Sequence, residues 1–258
     1  MILGLNEKYM SPFKFKQFSV HHQKTAHKVG TDGVLLGAWT SLSHQPQGIL
    51  DIGAGSGLIA LMMAQRSSAE NIDAIEINAD AFEECVHNFE ASPWNDRLFC
   101  YHGDVKTLAQ EPDLKYDLMV SNPPFFERTQ ETNLNGRNQA RNQVSLSESD
   151  LLESVQLLLN KNGQFATILP YQNHQTFIEK AKVKGLFLNR MTHVKGQKHA
   201  PPKRSLMQFG YKKQAFTADE MVLEISRHIY TDEYKALVKD FYLGSAEKVR
   251  NELNSRHS

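Results

Sequence analysis

The sequence predicts an α/β fold with a doubly wound, mostly parallel sheet. Three observations carry that expectation. Apolar runs of strand length alternate with segments of helical composition from residue 48 to residue 185, the pattern of parallel strands joined by crossover helices. The first run, GILDIGAG (48–55), ends in glycines, so a buried strand turns tightly into the segment that follows. LFLNRMTHVKG (186–196) and RSLMQFGYKK (204–213) are separated only by a short basic linker, which predicts an antiparallel strand pair at the C-terminal side.

Taken in order, GILDIGAG is a buried strand and SGLIALMMAQRS (56–67) a helix. NIDAIEIN (71–78) is the second strand. ADAFEECVHNFEAS (79–92) reads as a helix with Phe82, Cys85, Val86 and Phe89 on one face. RLFCYHGDV (97–105) and KYDLMVSN (115–122) are strands. SESDLLESVQLLLNKNG (147–163) is a helix with a Ser/Asp start and a Gly stop. GQFATILP (163–170) is the next strand and QNHQTFIEKAKVKG (172–185) the next helix. EYKALVKDFYL (233–243) reads as a helix, and residues 244–258 form a polar tail. The expected organisation is one domain over 1–243, with 1–47 as a basic N-terminal extension.

The whole-chain composition excludes several classes. Its 258 residues suffice for one large α/β domain, and Lys+Arg and Asp+Glu are both 29, so any basic surface must be local. The two cysteines, Cys85 and Cys100, lack the spacing of a redox or zinc motif and are expected to be buried. The N-terminus has no signal-peptide h-region, and no stretch approaches the ~18 apolar residues of a membrane span. A cytoplasmic protein without a membrane segment is expected.

The glycine turn specifies a ligand class. Gly53, Gly55 and Gly57 stand between strand and helix, where a ligand approaches the backbone at a helix N-terminus. A dinucleotide fingerprint needs Gly or Ala where Leu58 stands. The pattern GxGxG with Asp51 just ahead instead resembles the S-adenosylmethionine (AdoMet) enzymes of the class I methyltransferase, Rossmann-like type. Glu76, at the end of the second strand, can accept both hydrogen bonds of a ribose diol. Asp104, at the end of the third, can accept from an adenine amino group.

SNPPFF (121–126) then leaves the fourth strand in an unusual way, because neither proline can donate to a ladder. The Asn122 side-chain carbonyl and the Pro123 backbone carbonyl are two acceptors that can hold both protons of a planar amine. Phe125 offers a face on which a base or amide stacks. In-line methyl transfer to such an amine needs orientation more than acid–base chemistry. The motif leaves adenine, guanine and glutamine nitrogens open.

FKFKQFSVHHQKTAHKVGTDGVLLGAW (13–39), LDIGAGSGLIALMMAQR, SNPPFF and RNQAR (137–141) together resemble the bacterial YfiC-type methyltransferases. ASPWNDRL (91–98) and YTDEYKALVKDFYL (230–243) share the similarity, which covers most of the chain. The resemblance implies AdoMet-dependent methylation of N6 of the adenine 3′ of the anticodon in tRNA1(Val). It implies that the N-terminal extension packs over the cofactor, with Thr31 and Asp32 near its methionine end. Asp32 is also expected to cap a helix beginning near Gly33. Phe125 departs from the tyrosine more usual in the family and keeps the stacking face.

An anticodon stem-loop with one base flipped out requires local basic surface. Lys14, Lys16, Lys24 and Lys28 interleave with Phe13, Phe15 and Phe18. Lys195, Lys198, Lys203 and Arg204 surround the linker, and Arg137 and Arg141 follow the tetrad. His21, His22 and His27 have no Cys partner or fourth ligand, so no metal site is expected. A glutamine-N5 methyltransferase of release factors is the nearest rival, but that family usually carries an N-terminal helical domain. A guanine-N2 rRNA methyltransferase is a third reading, often with a duplicated N-terminal half. A non-catalytic RNA-binding relative would not need the intact site motifs.

Overall fold

The computed structural model describes residues 11–25, 28–124, 146–216 and 218–244. Its main sheet has nine strands among the described residues. They are β3 (Gly48–Ile52), β4 (Asn71–Glu76), β5 (Leu98–His102), β6 (Tyr116–Ser121), β7 (Leu159–Pro170), β8 (Phe187–Gln197), β9 (Pro202–Gly210), β10 (Ala218–Ser226) and β11 (Ile229–Tyr230). Their order across the sheet is β11-β10-β8-β9-β7-β6-β3-β4-β5. The run from β7 to β5 is parallel throughout. β9 is antiparallel to both β7 and β8, as the helix-free linker requires. A short hairpin, β1 (Phe13–Lys14) and β2 (Ser19–Val20), precedes the sheet.

Side chains alternate between two cores because a strand has a period of two. Ile49, Leu118, Ala166 and Leu206 point to one face, where α1 (Thr31–Trp39), α2 (Leu58–Arg66) and α3 (Ala79–Glu90) pack. Their neighbours Leu50, Met119, Phe165 and Met207 point to the other, onto α5 (Glu148–Leu158) and α6 (His174–Val183). Phe165, Phe177 and Phe209 are fully buried there, each contributing about 1.5–3 kcal/mol of apolar burial. A single turn, α4 (Val105–Leu108), follows β5, and α7 (Asp232–Val238) lies against β10 and α1.

Several expectations are corrected. The helix expected over 147–163 has its Ser147 cap but stops at Leu158. Leu159–Gly163 join β7 instead, where Leu159 pairs with Tyr116 and Asn160 donates to Asp117 at 2.6 Å. Cross-strand pairing overrides the helical pattern there. Phe13, Phe15 and Phe18 are not an RNA-facing aromatic surface. They are 3–6% exposed, and Phe15 stacks on Phe18 and Tyr242. The Phe/Lys alternation is the period of a strand with one buried face. β10 and β11 have no counterpart among the expected elements.

On α3, Cys85 and Phe89 are buried as expected, but Phe82 and Val86 are only half-buried. Glu84 and Asn88 complete the buried face. Two polar side chains on a core face require partners, and these partners lie beside the glycine turn.

Candidate active site at the carboxyl edge of the sheet

Register brings the motifs together before any side chain is considered. Ile52 of β3 is the partner of Ser121 of β6, and the Ser121 hydroxyl donates to the Ile52 carbonyl at 2.9 Å. The glycine turn and SNPP therefore leave the sheet side by side, at the carboxyl edge where open α/β sheets take ligands.

Gly53, Gly55 and Gly57 all have positive φ, 68°, 56° and 79°. Gly57 is doubly constrained, because a Cβ there would stand 2.5 Å from the Phe89 ring. A Cβ on Gly53 would meet nothing within 4 Å among the described residues. The space over that residue is open.

The three acids are held by backbone amides. Glu76 accepts from Gly55 N–H and from Asn78 N–H, both at 2.8 Å, which locks the second strand's carboxylate to the glycine turn. Asp104 accepts from Lys106 N–H at 2.9 Å and caps α4. Asp51 is 1% exposed and accepts from Ala60 N–H at 3.1 Å, while its other oxygen is buried without a partner among the described residues. Burial pushes its carboxyl up to about 7, the nearby Glu76 charge adds to this, and the Ala60 bond opposes it.

The Asn122 side-chain oxygen is also buried without a hydrogen-bond partner among the described residues. Such an acceptor is costly unless a donor arrives. Pro123 is buried beside it and Pro124 is exposed. Phe125, Arg137 and Arg141 lie outside the described residues, as does His27.

A clamp that the sequence reading missed lies over the turn. The Glu84 carboxylate accepts from the backbone N–H groups of Gln23, Lys24 and Thr25, at 2.6, 3.2 and 3.0 Å. Asn88 accepts from His21 N–H and donates to both the His21 and Ser56 carbonyls, each at 2.8 Å. One α3 side chain thus ties the N-terminal extension to the glycine turn itself. The Thr25 hydroxyl lies 3.4 Å from where a Gly55 Cβ would stand. His22 accepts from Val29 N–H at 2.9 Å and closes the next loop. The only local signal was a Glu and an Asn at i, i+4 on the apolar stripe of a helix.

Helix α1 starts two residues earlier than expected, and its N-cap is Gly30, with no side-chain capping bond. Asp32 is therefore not the cap. Its carboxylate accepts from Arg204 Nε at 2.8 Å, and Thr31 is exposed next to it. Among the other expected RNA contacts, Lys24 pairs with Glu83 at 2.7 Å and Lys195 with Glu220 at 2.8 Å. The Lys16 ammonium donates to the Lys239 carbonyl at 2.5 Å. Lys14, Lys28, Lys198 and Lys203 are exposed. Among the described residues no cluster of three His, Cys, Asp or Glu stands ready for a metal ion, and no helix is long and apolar enough to cross a membrane.

The family model described as "Methyltransferase small domain" matches residues 33–164, from α1 into β7. A tRNA1(Val) (adenine(37)-N6)-methyltransferase of Flavobacterium psychrophilum is 51% identical over 231 residues, covering 90% of this chain and 99% of the relative. Proteins of the same name from Bacteroides fragilis and Trichodesmium erythraeum are 44% and 42% identical, each over 90% of this chain and 97% of their own length. Among solved structures, a predicted O-methyltransferase from Agrobacterium tumefaciens superposes with a TM-score of 0.62 at 18% identity, over 81% of this chain and 96% of that one. The CcbJ methyltransferase of Streptomyces caelestis gives 0.51 at 10% identity, over 70% and 90%. At those identities the structures speak for the fold alone, the class I methyltransferase fold. Sequence identity over nine-tenths of its length places the chain in the family of bacterial tRNA1(Val) (adenine(37)-N6)-methyltransferases, within the AdoMet-dependent class I enzymes.

Proposed function

We propose that this protein methylates N6 of adenine 37 in tRNA1(Val), the adenine 3′ of the anticodon. The observation that carries the reading is the Asn122 carbonyl at the end of β6, buried and without a partner among the described residues, beside the open glycine turn. An exocyclic amine donates one hydrogen to that oxygen and one to the Pro123 carbonyl. Both bonds draw the nitrogen lone pair out of the ring, and the rigid prolines hold it in a fixed direction. Phe125 supplies the stacking face for the flipped base.

AdoMet, when bound, supplies the electrophilic methyl group. The described residues fit it: the space over Gly53 is open, and Glu76 and Asp104 stand at successive strand ends. Each Glu76 oxygen spends one lone pair on the backbone and keeps another for a ribose hydroxyl. Asp51 supports the turn from within, and Thr31 and Asp32 face the cofactor's methionine end from α1. Lys14, Lys16, Lys24, Lys28, Lys195, Lys198, Lys203 and Arg204, with Arg137 and Arg141, supply phosphate contacts to the anticodon stem-loop. No metal takes part in this scheme, and a cytoplasmic site of action follows from the substrate.

Labelled AdoMet with bulk tRNA and with a release factor tests the assignment. Label is expected in tRNA, mapped by nuclease digestion and mass spectrometry to N6-methyladenosine at position 37. Label in the release factor and none in tRNA would overturn it.

A further inference from the structure

A cavity opens on the same edge of the sheet, among α1, β8, β9 and β10. It has a volume of about 410 Å³; Thr31 and Asp32 of α1 close it on the cofactor side, and none of Gly53, Gly55, Glu76, Asp104 or Asn122 lines it. The antiparallel turnaround places it there. Arg204 at the start of β9 is the partner of Pro170 at the end of β7, and Val194 of β8 faces Arg204. Parallel pairing with β8 then sets Glu224 of β10 opposite Gln197, and Tyr230 of β11 opposite Glu224. With strands about 4.8 Å apart, the start of β9 lies about 10 Å from β6 and its Asn122.

The walls have a specific chemistry. Tyr230 and Tyr234 line the cavity with ring centroids 5.0 Å apart, and Tyr242 completes an aromatic side. Glu224, 8% exposed, contributes a carboxylate from the sheet. Arg204 is fixed at the opposite wall by Asp32, and exposed Lys203 stands at the rim. Aromatic faces stack any base, a buried carboxylate selects bases with amino or imino donors, and rim cations take phosphate. A volume of this size fits one small ligand rather than a peptide segment.

We infer that this tyrosine-walled cavity is a subsite for a second unstacked nucleotide of the substrate RNA, one whose base carries an exocyclic amine. The inference rests on the RNA substrate proposed above. It makes the enzyme a reader of two bases on one strand: one held at Asn122 for reaction, the other held between β9, β10 and α7 for recognition. Uracil, whose single imino N3–H is flanked by two carbonyl oxygens that a carboxylate repels, is disfavoured there.

The test uses anticodon stem-loop RNAs with a single abasic residue at each loop position other than the target, and two variants. Ala200→Trp fills the cavity from its rim, a half-buried position outside the sheet core. Glu224→Gln alters the selecting group. With wild-type protein, one abasic position is expected to raise KM about tenfold while kcat holds, in line with the loss of one stacked base. Ala200→Trp is expected to raise KM for intact RNA by a similar factor and to abolish sensitivity to that abasic residue, with AdoMet affinity unchanged. Glu224→Gln is expected to erase discrimination between an amine-bearing base and uracil at the same position. Wild-type KM in Ala200→Trp, or undiminished abasic sensitivity in it, overturns the subsite alone. Absence of methyl transfer from wild type to the intact stem-loop overturns the RNA reading, and the subsite with it.

Discussion

The two halves of the sheet's carboxyl edge are built differently. From β3 to β5, each acid is fixed by backbone amides close to its own strand: Glu76 by Gly55 and Asn78, Asp51 by Ala60, Asp104 by Lys106. From β9 to β11 the charged groups are held by other side chains, Arg204 by Asp32 and Lys195 by Glu220. A carboxylate held by amides keeps its position whatever arrives. A lysine held by an exposed carboxylate can exchange it for a phosphate, because such surface pairs contribute only about 0–1 kcal/mol. On the proposed function, the first half is preorganised for one small cofactor and the second gives up its ion pairs to a polyanion.

The comparison breaks most visibly where the rigid half meets the substrate. Asn122→Ala is expected to lower kcat by about 10²–10³, the usual cost of removing one group aimed at the reacting atoms, with AdoMet affinity unchanged. Single-turnover kinetics and calorimetry separate the two, and unchanged turnover removes Asn122 from the chemistry.

Asp51 sharpens the contrast through pH. Its carboxyl is raised in the folded protein to about 7, above its unfolded value. The protonated form is therefore favoured by folding. The stability this group contributes is fully present below its unfolded pKa, near 4, and is lost as pH rises through about 7. A shift of this size corresponds to roughly 4 kcal/mol. Asp51→Asn is accordingly expected to match wild type near pH 4 and to melt at higher temperature above pH 8. Thermal scans across that range check it, and equal Tm values at pH 8 would count against a raised carboxyl.

Glu84→Ala leaves three backbone N–H groups without their acceptor, at about 1–3 kcal/mol. The loss should be local. Amide exchange at Gln23, Lys24 and Thr25 is expected to accelerate and AdoMet affinity to fall about tenfold, which corresponds to 1.4 kcal/mol. If exchange accelerates while affinity holds, the N-terminal segment does not help to retain the cofactor. Lys198→Ala, in the displaceable half, should have the smallest effect. It is expected to weaken RNA binding a few-fold and to reduce the slope of log K against log salt by ~0.9.

The same contrast explains what could be read from the sequence. The rigid half follows local rules, a glycine or an acid at a fixed offset from a strand, and Gly53, Glu76 and SNPP can be placed from those offsets alone. The displaceable half depends on pairs distant in sequence. Asp32 meets Arg204 across 172 positions, so spacing made it look like a helix cap. Glu84 and Asn88 were hidden because their partners are backbone atoms, which leave no trace in the side-chain pattern. Phe13, Phe15 and Phe18 were misread because alternation with lysine marks a strand but does not say which face is covered. The cover comes from Tyr242.

That last contact has a consequence for how the chain is made. Phe15 bridges to Tyr242, and Lys16 N–H bonds the Phe241 carbonyl, over two hundred residues later. At about 5–20 residues per second, the first aromatic cluster waits about 10–45 s on the ribosome for its lid. The hairpin that carries it runs directly into the segment clamped over the glycine turn. A polypeptide interrupted before Tyr242 leaves Phe13 and Phe15 without that cover, while Phe18 keeps Trp94, and the exposed rings are a ready signal for chaperones or proteases. The strap over the glycine turn is held by Glu84 and Asn88, made long before Tyr242, so what the end of synthesis closes is the aromatic cluster beside it.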